Sequence, residues 1–276
     1  MAADRSRGVL LSLSLCLLAA CGGSRVVDGP PAGAPVTSTS RLPPDAVPRP
    51  EPRSRYGNGP LYEVYGETYK VLDSSHGYQE RGVASWYGKK FHGRLTSNRE
   101  PYDMYAMTAA HKTLPLPTYV RVRNLKNNKS IVVRVNDRGP FAHNRLIDLS
   151  YSAALKLDMV NEGTSLVEVT AISFEEPPVR AANPPSQNLS ERVDEASGRS
   201  EVFVQVGAFG DITNARRRYT LLRNNGIEQV VVHQDENSEP ALFRVRIGPI
   251  ADVLQYDTLV ERLKRIGIND SHLVSN

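Results

Sequence analysis

The side chains able to do chemistry are concentrated between residues 84 and 141. In order, the runs are Ala84-Ser85-Trp86-Tyr87-Gly88, Phe91-His92-Gly93-Arg94-Leu95-Thr96-Ser97-Asn98, Arg99-Glu100-Pro101-Tyr102-Asp103-Met104, Thr108-Ala109-Ala110-His111 and Asn136-Asp137-Arg138-Gly139-Pro140-Phe141. Glycines beside aromatics, carboxylates and histidines are the make-up of loops shaped around a ligand. Carboxyl groups in such loops suit general acid–base chemistry, and among the bonds a carboxyl pair can cleave is the glycosidic bond, which needs a proton on the leaving oxygen and a nucleophile at the anomeric carbon. A carboxylic acid held partly protonated by burial supplies the proton. Asp137 is the first candidate for that role, because it follows a buried strand and sits in a turn set by Gly139-Pro140. Glu100 is the second carboxylate, as base or as electrostatic partner of an oxocarbenium-like transition state. His111 is the third candidate, to orient Asp137 or bind sugar hydroxyls. Trp86 and Tyr87 are candidate rings for stacking on sugars.

Each residue has a plainer reading. An Asp-Arg-Gly-Pro run on its own reads best as a turn, with Asp137 bonded to backbone N–H groups and paired with Arg138. Glu100 is balanced between the two readings, and His111 could simply cap a short helix. No serine lies in a nucleophile-elbow context, and no His/Cys/Asp/Glu spacing suits a metal. Neither a metal nor any other cofactor is expected.

The elements that must position these residues form two blocks. The first, 62–174, reads as mostly strand: Val83 to Tyr87, the alternating Tyr119 to Arg123, Ser130 to Val135 beyond an Asn127-Asn128 turn, and Leu166 to Ile172. Two short helices are expected, around Met107 to His111 and from Ser150, a plausible N-cap, to Leu157. Many short strands with little helix imply a small closed barrel or sandwich. The second block, 200–276, reads βαββαβ, with helices Thr213 to Asn224 and Val253 to Ile266, which describes a sheet with two helices on one face. Strand alternation puts Phe203 and Gln205, and likewise Arg244 and Arg246, on the open face, where donors beside an aromatic suit sugar hydroxyls.

The motifs Ser85-Trp86-Tyr87-Gly88, Thr108-Ala109-Ala110-His111 and Asn136-Asp137-Arg138-Gly139-Pro140-Phe141 resemble, from Gly82 to Ile172, the double-psi β-barrel of the rare lipoprotein A family. These are septal-ring lytic transglycosylases whose barrel is related to that of expansins. The resemblance implies a six-stranded double-psi β-barrel, and it turns the choice for Asp137 towards catalysis. It implies a reaction in which the sugar's own 6-hydroxyl attacks, giving a 1,6-anhydro-muramyl end without water. The family often has Ala-Asn-Gly-Glu where this chain has Ser97-Asn98-Arg99-Glu100; the carboxylate is kept and Arg99 replaces a glycine. An expansin-like, non-catalytic glycan binder is the alternative. The second block, through Gln205-Val206-Gly207-Ala208-Phe209 and Phe243 to Pro249, resembles the sporulation-related repeat domain, which binds peptide-free peptidoglycan glycan. Ile250 stands where such domains usually have Phe.

The remaining segments supply an address. Arg5 and Arg7 precede an apolar run, Val9 to Leu18, too short to span a bilayer comfortably, and the run ends in Leu18-Ala19-Ala20-Cys21. This reads as a lipoprotein signal peptide over 1–20, with Cys21 lipidated and the chain anchored at the periplasmic face of an outer membrane. The two cysteines of the chain are Cys16, which leaves with the leader, and Cys21, so no disulfide is expected. Residues 21–61 read as a disordered tether and 175–199 as a linker. The expected partners are peptide-free peptidoglycan strands, the membrane through Cys21, and septal-ring proteins. A net charge of +4 is too small to argue for nucleic acid, and the leader excludes it as a natural partner.

Overall fold

In a computed structural model of the chain, residues 29, 42–142, 144–174, 201–235, 238 and 240–275 are described. The leader, Cys21 and the 175–199 linker lie outside the described residues.

Six strands close into a barrel: β3 (Gln79–Tyr87), β4 (Thr108–His111), β5 (Thr118–Asn124), β6 (Ser130–Asp137), β7 (Arg145–Ser150) and β8 (Thr164–Ala171), preceded by a small hairpin of β1 (Leu61–Val64) and β2 (Glu67–Lys70). Around the barrel the order is β3-β7-β4-β6-β5-β8. The β3–β7 and β4–β6 pairs are parallel and the remaining pairs antiparallel. Inward residues fill the interior: Val120, Val122, Val133, Val135, Ile147, Leu149, Val167 and Val169 are fully or almost fully buried. Closure pairs every strand on both sides, so no edge is left open. The β5–β6 hairpin turns at Asn128, which takes a left-handed φ of 59°, as Asn tolerates. Helix α1 (Tyr151–Lys156) starts at Ser150, whose side chain accepts from Ala153 N.

Two expectations fail here. Residues 107–111 are not helical; Thr108–His111 is β4, paired with β6 on one side and β7 on the other. A short run of small apolar residues carries no period that separates strand from helix, and the two neighbouring strands decide the matter. Nor is the whole of 21–61 a loose tether. Residues 45–58 run as an extended arm along the barrel: Ala46 N donates to Val132 O, Ser54 N to Leu116 O, and the Asp45 carboxylate pairs with Lys156. Gly57 is required in this arm. It takes φ 77°, and a Cβ there would stand 2.9 Å from Leu116 Cδ1 and 3.1 Å from Ser97 O.

The C-terminal block is a four-stranded antiparallel sheet, β10 (Val230–Asp235)-β11 (Leu242–Ile247)-β9 (Val202–Phe209)-β12 (His272–Ser275), with helices α2 (Ile212–Asn224) and α3 (Val253–Arg265). Asp211 and Asp252 cap the helices, accepting from Thr213 N and Gln255 N. Val204, Val206, Val245, Ile247, Leu222, Leu259 and Leu263 form its core. Ile250 is buried in that core, so an aliphatic side chain fills the place.

Candidate active site

Strand register builds the site. Ala110 of β4 is paired with Asp137 of β6 on one side and with Asp148 of β7 on the other, and Asp148 is paired with Ser85 of β3. Residues in direct register share a face. Asp137, Ala110, Asp148 and Ser85 therefore form one row across four neighbouring strands, with only a methyl group between the two carboxyl groups. Asp137, Asp148 and Glu100 are each half-buried.

Asp137 is held by the loop that faces it. Its Oδ1 accepts from Ser97 N and Ser97 Oγ, both at 2.7 Å, and from Arg138 N at 2.8 Å. Three donors on one oxygen fix the plane of the carboxyl group. The expected bland alternative, a turn closed by an Asp137–Arg138 ion pair, is not what forms. The Arg138 guanidinium turns away, donating to Gly57 O, Asn58 Oδ1, His111 O and Leu114 O. Burial pulls it down to about 10.

Asp148 accepts a short hydrogen bond from Ser85 Oγ. Burial raises its carboxyl above the ordinary range and the Asp137 charge adds to the rise, against the Ser85 bond and the charges of Arg145 and Lys112. Asp148 is thus the group in the row best placed to keep a proton. Sequence reasoning missed it. The signal was present: a lone carboxylate in the otherwise apolar run Leu146-Ile147-Asp148-Leu149, where an uncompensated charge is costly.

Glu100 lies at the end of a tight turn closed by Thr96 N donating to Glu100 O. Its Oε2 accepts from Arg134 Nη1 at 2.7 Å and Asn136 Nδ2 at 2.9 Å. Burial alone would raise its carboxyl, but the bonds from Arg134 and Asn136 and the Arg134 charge bring it below the ordinary value. Glu100 is therefore an anion at neutral pH, which suits charge stabilisation and not proton donation. Arg99 does adopt the left-handed conformation of the glycine it replaces, at φ 74°, a strain of roughly 1–2 kcal/mol.

The other expected site residues are placed differently. The His111 ring does not touch Asp137. Its Nδ1 accepts from Thr113 N and Leu114 N, so Nε2 carries the proton and meets Tyr78 OH at 2.8 Å. Burial, with the Arg138 and Lys112 charges, lowers it to about 3. The unfolded chain takes up a proton near pH 6.5 and the folded one does not, so stability present above pH 6.5 drains away as pH falls below it, by up to about 1.4 kcal/mol per pH unit. Thermal melting between pH 7 and 4 should show this slope, and His111→Gln, which preserves the acceptor and donor, should flatten it. Tyr87 is buried and stacked on Tyr102 at 4.0 Å, and Trp86 is half-buried against Tyr151. Tyr87 offers no ring face to a sugar, but its hydroxyl feels Asp137 and Asp148. Burial, then the charges of Tyr102, Asp137 and Asp148, hold it well above its usual value.

In the C-terminal sheet, Val231, Arg246, Gln205 and His272 lie side by side in register, and Gln205 Nε2 is 3.4 Å from His272 Nε2. Gln205 and Arg246 are in register, but Gln205 is buried, so the sheet does not present it as an open contact. Arg244 is tied to Asp235 by Nε and Nη2. Phe203 is 7% exposed, its ring packed towards Gly248, so it is not an open stacking surface. His272 was not singled out from the sequence; a short terminal strand gave little pattern to place it.

A closed barrel bearing a row of carboxyl groups, followed by an antiparallel sheet backed by two helices, defines a two-domain double-psi β-barrel protein. The chain matches the family described as lytic transglycolase over residues 79–169 and the SPOR domain over 198–273. A Vibrio cholerae protein named endolytic peptidoglycan transglycosylase RlpA is 42% identical, over 83% of this chain and 81% of its own length. Its Pseudomonas aeruginosa namesake is 36% identical over 85% and 81%, and one from Neisseria meningitidis is 54% identical over 46% and 53%. The chain belongs to the rare lipoprotein A (RlpA) family.

Proposed function

We propose that the chain is a peptidoglycan lytic transglycosylase acting on peptide-free glycan strands. The observation that carries this is the row Asp137–Ala110–Asp148, two carboxyl groups in register on one face of the barrel, with anionic Glu100 bonded to Asn136 next to Asp137. A carboxyl group raised by burial, Asp148, near one lowered by an arginine, Glu100, is equipment for acid and base work on a glycosidic bond.

The reaction balances without water. The acid gives its proton to the bridging oxygen, and the C1–O bond breaks. Positive charge grows at the anomeric carbon, opposite Glu100. The 6-hydroxyl of the same sugar closes on that carbon, and its proton returns to the row. The products are one new 4-hydroxyl end and one 1,6-anhydro end. We assign the proton transfer to Asp137, fixed by Ser97, with Asp148, whose carboxyl burial pushes up, as its neighbour across Ala110.

The relatives named as peptidoglycan transglycosylases support the substrate class, and the SPOR match supports a second grip on the same polymer. The leader ending in Leu18-Ala19-Ala20-Cys21 supports a lipid anchor at the outer membrane's periplasmic face, and the SPOR match supports action where daughter cells separate. Purified sacculi digested with the full chain should yield fragments ending in 1,6-anhydro-muramyl groups by mass spectrometry. Binding without such ends would select a non-catalytic, expansin-like role, and uptake of oxygen-18 from water would select a hydrolase. Substituting Arg246 by Ala should weaken binding to peptide-free strands roughly tenfold, the equivalent of one or two hydrogen bonds, as read by co-sedimentation with sacculi.

A further inference from the structure

The arm ahead of the barrel touches both loops that carry the acids. On one side, Arg134 of β6 presents Nε and Nη2 to the two carboxylate oxygens of Glu51, at 3.0 and 2.8 Å, and its remaining Nη1 to Glu100 Oε2 at 2.7 Å. Tyr119 OH donates to Glu51 as well. On the other side, Arg138 of the Asp137 loop donates to Gly57 O and Asn58 Oδ1. Between them, the Arg99 guanidinium lies 5.4 Å from the ring centroid of Tyr56. Residues 51, 56, 57 and 58 thus contact the supports of Glu100 and of Asp137 in turn.

The Glu51–Arg134 contact is the one with chemical consequence. A guanidinium fork matched by both oxygens of one carboxylate is fixed in its plane. With the Nε and Nη2 edge so engaged, Nη1 is the nitrogen that reaches Glu100. Without Glu51 the fork could rotate and clasp Glu100 in the same two-pronged way, neutralising it. Two carboxylates against one guanidinium also leave a net negative charge at this edge of the site, which is the sign needed opposite an oxocarbenium-like transition state. Glu51 and Arg134 are each only 17% exposed as side chains, so solvent screens the arrangement weakly.

We infer that Glu51 is a positioning residue of the active site: by engaging the Arg134 fork it limits Arg134 to one nitrogen on Glu100 and keeps the Glu100 charge available to the reacting sugar. The segment between leader and barrel is on this account part of the catalytic unit. The kinetic half of the inference rests on the transglycosylase reading; the electrostatic half does not.

The test uses Glu51→Gln and Glu51→Asp in the full chain. Two quantities are read: kcat and KM on isolated peptide-free glycan strands, and the titration of the Glu100 carboxyl carbon by NMR. For Glu51→Gln, kcat should fall about tenfold, as expected for a misplaced charge-stabilising group, with KM little changed. The Glu100 titration should move to lower pH as Arg134 turns onto it. Glu51→Asp retains the charge with shorter reach and should fall between parent and Gln in both readouts; it carries the test if the Gln variant does not fold. A Glu100 titration and kcat unchanged from the parent in either variant would overturn the inference. If the parent itself makes no anhydro ends, the transglycosylase reading fails, and the Glu100 titration alone decides: a downward shift upholds the role of Glu51 in setting Glu100, and no shift ends it.

Discussion

Asp137→Asn should lose glycan cleavage by about a thousandfold or more, the scale of removing a general acid–base group, while the protein melts at an unchanged temperature. The second half follows from the geometry. Every hydrogen bond that fixes Asp137 arrives at Oδ1 from a donor: Ser97 N, Ser97 Oγ and Arg138 N. An asparagine can present its amide oxygen to the same three donors, so the loop loses nothing it needs. What disappears is the ability to give and take a proton. Anhydro-ended fragments measured by mass spectrometry against melting by circular dichroism separate the two effects. If more than a tenth of the parent rate survives, Asp137 is not the proton-transfer group. Asp148, its neighbour across Ala110, would then be the first residue to replace, because burial already favours its protonated form.

The local elements of the fold were legible in the sequence, the site only in part. Asp137 stands after a continuous apolar strand, and a register shift between β4 and β6 falls just before it, so the sequence pattern placed the residue at the strand's end but not the face it takes. The Ser150 cap, the Asn127-Asn128 turn and the two C-terminal helices were readable because caps, turns and helical periodicity are local properties. The arm was not readable, for a physical reason. It contains no regular secondary structure, so it has no period, and its Pro, Gly and Arg content is that of a disordered segment. Its order comes from partners far along the chain, such as Glu51 with Arg134 and Asn58 with Leu116. The aromatic residues failed differently. Tyr87 and Phe203 have the chemistry of sugar contacts, but alternation says which face a ring takes and not whether something covers it. His111 was misassigned because its ring serves two backbone N–H groups within its own turn, and a sequence does not show where a side chain's bonds go.

The second large effect concerns Arg138, and it distinguishes two accounts of the Asp-Arg-Gly-Pro turn. If Arg138 served as the counter-ion of Asp137, Lys in its place would preserve most of its value, since a charge near a charge is all that is needed. The structure shows a different use. The guanidinium reaches Gly57 O at 2.8 Å, Leu114 O at 2.5 Å, His111 O at 3.1 Å and Asn58 Oδ1 at 3.2 Å, joining the arm, the end of β4 and the Asp137 loop. Those four acceptors need donors diverging from one planar group, which an ammonium on a flexible stem does not supply. Removing the donors from half-buried acceptors costs about 1–3 kcal/mol for each one left unmet. Relaxation and water will recover part of this, so Arg138→Ala should destabilise the barrel by about 3–5 kcal/mol, a drop on the order of 10 °C or more in its melting temperature. Arg138→Lys should recover less than half of that. The Arg138 backbone N–H still donates to Asp137 in both variants. Any loss of cleavage measured well below the melting temperature then reports displacement of the loop. A Lys variant as stable as the parent would return the turn to the simple ion-pair account and remove the arm's hold on Asp137.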